Sequence, residues 1–187
     1  GTLLVTPSGP VDANTVGDYS LTYSATDPSG NSDSKTRTVH VVDTTDPTVT
    51  LAGGDMTLEC HGPAFSDPGA SASDACAGSL AVTPSGSVDV NTVGDYTLTY
   101  SATDPSGNSA TNTRTVTVID TLAPVVSLIG NATTNVQCHT AYTDPGATAT
   151  DSCAGTLSVT TSGSVNTNVP GNYTMTYVAT GPSRNSA

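Results

Sequence analysis

Tryptophan is absent from these 187 residues and phenylalanine occurs once, which excludes a single large aromatic core. Seven tyrosines and a hydrophobic share of 35% suit several small cores instead. Cations are scarce too: four Lys plus Arg stand against 16 Asp plus Glu, for a net charge of −12. Such a chain repels nucleic acid and anionic membranes, so nucleic-acid partners are not expected. Charged residues amount to only 11%, leaving Ser, Thr, Asn and Gly to solvate most of the surface. Apolar runs such as Val125-Val126-Ser127-Leu128-Ile129 fall far short of the roughly 20 residues that cross a bilayer, so this segment is not expected to insert directly into a membrane. The chain opens on Gly1 with neither Met nor a signal sequence, and it reads as a window onto something longer.

What is present is a repeat. Gly1 to Pro47 lies over Gly78 to Pro124 without a gap, an offset of 77 residues, and 35 of those 47 positions are identical. Val16 to Ser32, VGDYSLTYSATDPSGNS, returns at Val93 to Ser109 and again, varied, at Val169 to Ser186. Upstream, Leu58 to Gly78 matches Val136 to Gly155 with a one-residue gap. The period therefore places a partial module at 1–45, a complete one at 46–122 and a partial one lacking its last strand at 123–187.

Within the complete module Tyr96, Leu98, Tyr100 and Ala102 alternate with small polar residues, the period of a strand with one buried face. Arg114 to Ile119 alternates likewise, and Asp104-Pro-Ser-Gly-Asn108 between them carries turn residues, so the pair reads as a hairpin. Short strands separated by turns, with no helical stripe, predict an all-β fold of tandem Ig-like β-sandwich modules in a linear array. Tyr96 sits two residues before a core position, as in a tyrosine corner whose hydroxyl bonds back to the backbone, and Tyr19 and Tyr173 hold the same place. The plainer reading is that these tyrosines merely fill core.

The pattern AxxDPGAxAxD, then GSVxxNTVGxYxLTYxATDxSGNxA, then RTVTVxDTxxP resembles the bacterial Ig-like surface repeats, which are related to hyalin repeats. The resemblance covers nearly the whole chain. It implies an extracellular, multi-copy β-sandwich stalk or adhesive array.

Each complete upstream half carries two cysteines, Cys60 with Cys76 and Cys138 with Cys153, an even count that predicts one disulfide within each module. A loop of about 15 residues closed this way should gain about 3 kcal/mol. Two such bonds imply an oxidising compartment, extracellular or at the cell surface. His61 and His139 follow the first Cys of each pair, but two Cys and one His fall short of the four ligands of structural zinc.

Asp43-Thr-Thr-Asp-Pro47 and Asp120-Thr-Leu-Ala-Pro124 read as linkers, stiffened by their proline. Calcium is the one cofactor worth weighing, with Asp43, Asp46 and Asp120 as its linker candidates, although Asp46 becomes Ala123 in the second linker. Asp27, Asn31, Asp104 and Asn108 in the hairpin turns read as turn caps. The third turn, Gly181-Pro-Ser-Arg184-Asn, loses both Asp and Gly, so a left-handed Arg184 would be strained there.

Catalysis finds little footing, because the three histidines do not recur in all copies and no triad can be assembled from repeated positions. Lys35 is the only lysine, which closes the isopeptide route for most modules. Asn131-Ala-Thr and Asn172-Tyr-Thr are N-glycosylation sequons. The leading expectation is a stiff repeated spacer in an extracellular filament, stalk or adhesin, partnered by neighbouring modules or by copies of itself in a fibre. The rival is an adhesive or carbohydrate-binding module of a larger secreted protein.

Overall fold

The computed structural model describes all 187 residues and is all-β, with fifteen strands. Following the chain, β1 (Thr6–Ser8), β2 (Gly17–Thr26) and β3 (Ser32–Val41) belong to the first repeat copy. The middle copy holds β4 (Thr48–Leu51), β5 (Met56–Glu59), β6 (Ala70–Asp74), β7 (Gly78–Leu80), β8 (Thr83–Ser85), β9 (Gly94–Thr103) and β10 (Ser109–Ile119). The third holds β11 (Val125–Leu128), β12 (Ala147–Asp151), β13 (Gly155–Leu157), β14 (Thr160–Ser162) and β15 (Thr176–Val178).

The strands pair as the repeat dictates. The middle copy forms two sheets, β4-β6-β7 and β5-β10-β9-β8, and the third repeats the first of these as β11-β12-β13. The first copy repeats β8-β9-β10 as the antiparallel sheet β1-β2-β3. Within the larger sheet β5 runs parallel to the end of β10, from Met56 opposite Val116 to Glu59 opposite Ile119. Thr, the commonest residue in these strands, suits a pleated, half-buried surface.

By packing, the chain divides into two compact units that alternate along the sequence. One comprises Gly1–Gly54, Pro68–Ser85 and Leu98–Arg114; the other comprises Asp55–Asp67, Gly86–Thr97 and Thr115–Ala187. The core of the first unit is Val49, Ala72, Leu98, Tyr100 and Ala102. That of the second includes Cys60, Val116, Val118, Ala149 and Ala179. The predicted alternation is therefore visible as burial along β9 and β10. In the first copy the same side chains, Leu21, Tyr23 and Ala25, are only half-buried.

One core residue departs from the expected pattern. Arg114 is fully buried, and its guanidinium donates to the carbonyls of Ala52 (2.8 Å), Gly54 (3.1 Å) and Gly69 (3.3 Å) and to the Tyr100 hydroxyl (2.9 Å). It also lies 5.4 Å from the Tyr100 ring centroid, within cation–π range. A planar five-donor fork can satisfy several carbonyls at once, which no apolar side chain could do.

The tyrosines end in hydrogen bonds. Tyr19, Tyr96 and Tyr173 each donate to the carbonyl four residues upstream, of Thr15, Thr92 and Val169, at 2.8 to 2.9 Å. Each bond pins the loop before its strand. Removing one hydroxyl leaves a carbonyl short of a partner, so Tyr96→Phe should cost about 1 kcal/mol in urea denaturation of the chain. An unchanged midpoint would reduce Tyr96 to a space-filling ring.

The third hairpin turn carries the strain expected of it. Gly107 holds φ 94° in the middle copy, and Arg184 is driven to φ 66° at the same repeat position. His61 (55°) and His139 (66°) are also left-handed, and their amides donate to the carbonyls of Val90 and Thr167. These histidines turn the chain just after each first cysteine.

Candidate functional site

The chemistry-bearing residues gather where one repeat copy passes into the next. At the first joint, in the first unit, the hairpin turn after β9 folds onto the linker. Asn108 closes the turn, its amide N–H donating to Asp104 Oδ1 (2.9 Å) and its Nδ2 to Asp104 Oδ2 (2.8 Å). The same Nδ2 donates to the backbone carbonyl of Asp43 (3.2 Å). Further along, Asn112 donates to the carbonyl of Val49 (3.0 Å). Pro47 and Val49 are buried here, so the linker is packed rather than free.

Three carboxylates meet at this joint: Asp43, Asp74 and Asp104 each offer an oxygen within 4.8 Å of the others. Asp104 is 5% exposed and Asp74 8%. Burial pushes the Asp104 carboxyl up, but hydrogen bonds from the Asn108 side chain and from the backbone of Asn108, Gly107 and Ser106 outweigh it, leaving the group below its usual range. The Cys76 thiol beside the cluster is raised, first by desolvation and then by the charges of Asp43, Asp74 and Asp104.

Of the linker aspartates singled out for calcium, the structure places Asp43 in this cluster. Asp46 is exposed outside it, and Asp120 lies at the second joint. Asp74 supplies what the sequence reading missed. It caps the β6–β7 turn, Oδ1 accepting from the amides of Cys76 (2.7 Å) and Ala77 (2.8 Å).

The second joint, in the second unit, repeats the plan with changes. Asn185 donates from Nδ2 to Asp120 Oδ1 (3.1 Å) and to the Leu122 carbonyl. Asp151 caps the β12–β13 turn as Asp74 does its own. Position 181, the counterpart of Asp104, is glycine.

The disulfide lies at this joint and corrects the expected pairing within modules. Cys60 is bonded to Cys153, 93 residues away, with Cα atoms 5.6 Å apart, while Cys76 and Cys138 are thiols. The reason is positional. Cys60 follows β5 and its amide donates to the Ile119 carbonyl (2.7 Å), so it sits where the chain leaves the middle copy. Cys76 lies in the β6–β7 turn beside Asp43, where the chain enters that copy. His61 Nδ1 lies 3.5 Å from Cys60 Sγ, and a sulfur already in a disulfide offers no thiolate to a metal.

The third copy also carries an open groove of about 800 Å³, lined among others by Tyr142, Tyr173, Met175 and Tyr177. Both sequon asparagines, Asn131 and Asn172, are exposed along it. Tyr177 holds the repeat position of Tyr100 and donates to Asp144 Oδ1 (2.5 Å). That bond, then burial and the charges of Asp144 and Tyr142, push its phenol up to about 12.

Comparison with known proteins follows this architecture. The family described as "Bacterial surface protein, Ig-like domain" matches residues 2–41, 49–118 and 126–187. Hyalin of Lytechinus variegatus is 35% identical over 162 residues, covering 79% of this chain and 30% of the relative. Hyalin of Strongylocentrotus purpuratus is also 35% identical, over 184 residues, covering 88% of this chain and 14% of the relative. The chain thus spans less than a third of the length of these relatives. Among solved structures, a lipoprotein of Bacteroides thetaiotaomicron is 38% identical with a TM-score of 0.36, covering 41% of this chain and 39% of the other. A protocadherin gammaB7 fragment is 21% identical with a TM-score of 0.40, covering 83% and 45%. With its three matched repeats, the chain is a tandem Ig-like β-sandwich array and belongs to the family of bacterial surface protein Ig-like domains.

Proposed function

We propose that this chain is a stiff repeated spacer of an extracellular filament, stalk or adhesin, its modules bounded at 1–45, 46–122 and 123–187. The observation that carries the reading is the fastening of both linkers. Asn108 and Asn112 hold residues 43 to 49 at the first, and Asn185 holds residues 120 to 122 at the second. A covalent bond, Cys60–Cys153, spans the second. A flexible tether would leave such a segment polar and exposed; here Pro47 and Asp120 are buried. With no repeated nucleophile–base pair, the chain is read as structural rather than enzymatic. Its partners are neighbouring Ig-like modules or further copies of itself.

Electron microscopy of native material tests this. A module of 77 residues should advance roughly 3 to 4 nm, from strands near 2 nm plus loops and linker. Straight particles with that axial repeat are the expected result. Particles that bend freely at every module would overturn the spacer reading and leave an adhesive module on a flexible tether.

A further inference from the structure

We propose that Asp43, Asp74 and Asp104 form a calcium-binding site at the first joint. The spacer reading is not needed for it, since an ion here would serve an adhesive module equally well.

The case begins with charge. Three carboxylates each offer an oxygen within 4.8 Å of the others, two of them on residues more than nine-tenths buried, which concentrates negative charge at one point of the joint. The chain has only four Lys plus Arg to relieve this. Lys35 pairs with Asp33, Arg37 lies over the Tyr23 ring, Arg114 is turned to the carbonyls of Ala52, Gly54 and Gly69, and Arg184 sits in the hairpin turn of the third copy. What faces the cluster is a set of neutral donors: the Asn108 amide and side chain, the amides of Cys76 and Ala77, and the Thr45 amide on Asp43 Oδ1 (3.1 Å).

Those donors leave one oxygen over. Asp74 uses Oδ1 for both turn amides, and its Oδ2 is buried without a hydrogen-bond partner. A buried carboxylate oxygen with nothing to accept from is costly, and a cation shared with the two neighbouring carboxylates removes that cost. Calcium fits better than magnesium. It accepts six to eight oxygens at flexible geometry, so three carboxylates, some bidentate, completed by water suffice, whereas magnesium demands a near-ideal octahedron.

The second joint supplies an internal comparison. Asp120 and Asp151 keep two corners, and Asp151 Oδ2 is likewise buried without a partner, but Gly181 stands at the third. With one carboxylate fewer, this joint should hold the ion less well, because affinity follows ligand charge.

Isothermal titration of the full chain with CaCl2 at low ionic strength tests the assignment. The expected result is one ion per chain in the tighter event, with Kd on the order of 10⁻⁴ to 10⁻³ M as for extracellular modules, and a melting temperature that rises with calcium and falls on chelation. Asp104→Asn, which keeps the shape of the turn, should weaken that event at least about tenfold, whereas Asp120→Asn should leave it in place. Circular dichroism without calcium reports whether Asp104→Asn folds; if it does not, Asp43→Asn, at a half-buried position, carries the same expectation. No response up to about 10 mM CaCl2, an unchanged response in the folded variant, or an equal response to MgCl2 would each overturn the proposal.

Discussion

Arg114→Met should remove about 4 kcal/mol from the stability of the middle copy, the sum of several lost charge-assisted hydrogen bonds less what the methionine recovers by packing. The size follows from what stays behind. Carbonyls of Ala52, Gly54 and Gly69 and the Tyr100 hydroxyl all accept from the one guanidinium, whose side chain is fully buried. Ala52 and Gly54 lie between β4 and β5, where the chain crosses from one sheet to the other, so their carbonyls have no strand partner to fall back on. Arg114→Lys should recover little, because an ammonium is a point donor and cannot span the fork. Domains of this kind have about 5 to 15 kcal/mol in hand, so the variant should be close to unfolding at ambient temperature. Urea denaturation followed by circular dichroism measures it. Arg37→Met is the control: Arg37 holds the same repeat position, lies 5.6 Å from the Tyr23 ring, and is exposed, so its loss should change stability by less than about 0.5 kcal/mol. Equal effects at the two positions would mean that burial of Arg114 is not what matters.

That contrast also marks how far the fold was legible. Alternation along Tyr96, Leu98, Tyr100 and Ala102 gave the buried face, because a period of two survives any tertiary arrangement in which one face is covered. Spacing of Tyr96 from its loop pointed to the backbone bond that Thr92 accepts. The alternation marks Arg114 only as the start of a strand. Nothing local distinguishes an outward arginine from one whose acceptors lie 45 to 62 residues upstream. The candidate site failed to be legible for the same reason. Asp43 was found because linkers are recognisable by composition, but Asp74 and Asp104 join it from two different turns. Asp104 is self-sufficient as a turn cap on sequence grounds, and the buried, unpartnered Oδ2 of Asp74 emerges only once the two turns are brought together with the linker.

The cysteines carry the other large effect. Sequence proximity favours Cys60 with Cys76, but Cys60 is held at Ile119 and Cys76 in the β6–β7 turn, and Cys60 finds Cys153 in the following copy. Peptide mapping of the chain without reductant should therefore recover Cys60 linked to Cys153, with Cys76 and Cys138 open to alkylation. The stability at stake depends on which loop is closed. Counted along the chain it spans 93 residues, which in the chain-entropy account is worth about 4.7 kcal/mol. Yet Cys60 is held at Ile119 by its own amide, so while the middle copy stays folded the effective loop runs only from Ile119 to Cys153. That shorter loop lowers the estimate to about 3.7 kcal/mol, all of it acting on the third copy. The double variant Cys60→Ser, Cys153→Ser, which avoids thiol exchange with Cys138, should then lose the third copy first. Hydrogen exchange resolves the order: amides of β11 to β13 should open early while those of β9 and β10 keep their protection. If both sets opened together, the bond would be tying the two copies into one cooperative unit rather than securing the third against the second. If neither moved, the disulfide would contribute position and no stability.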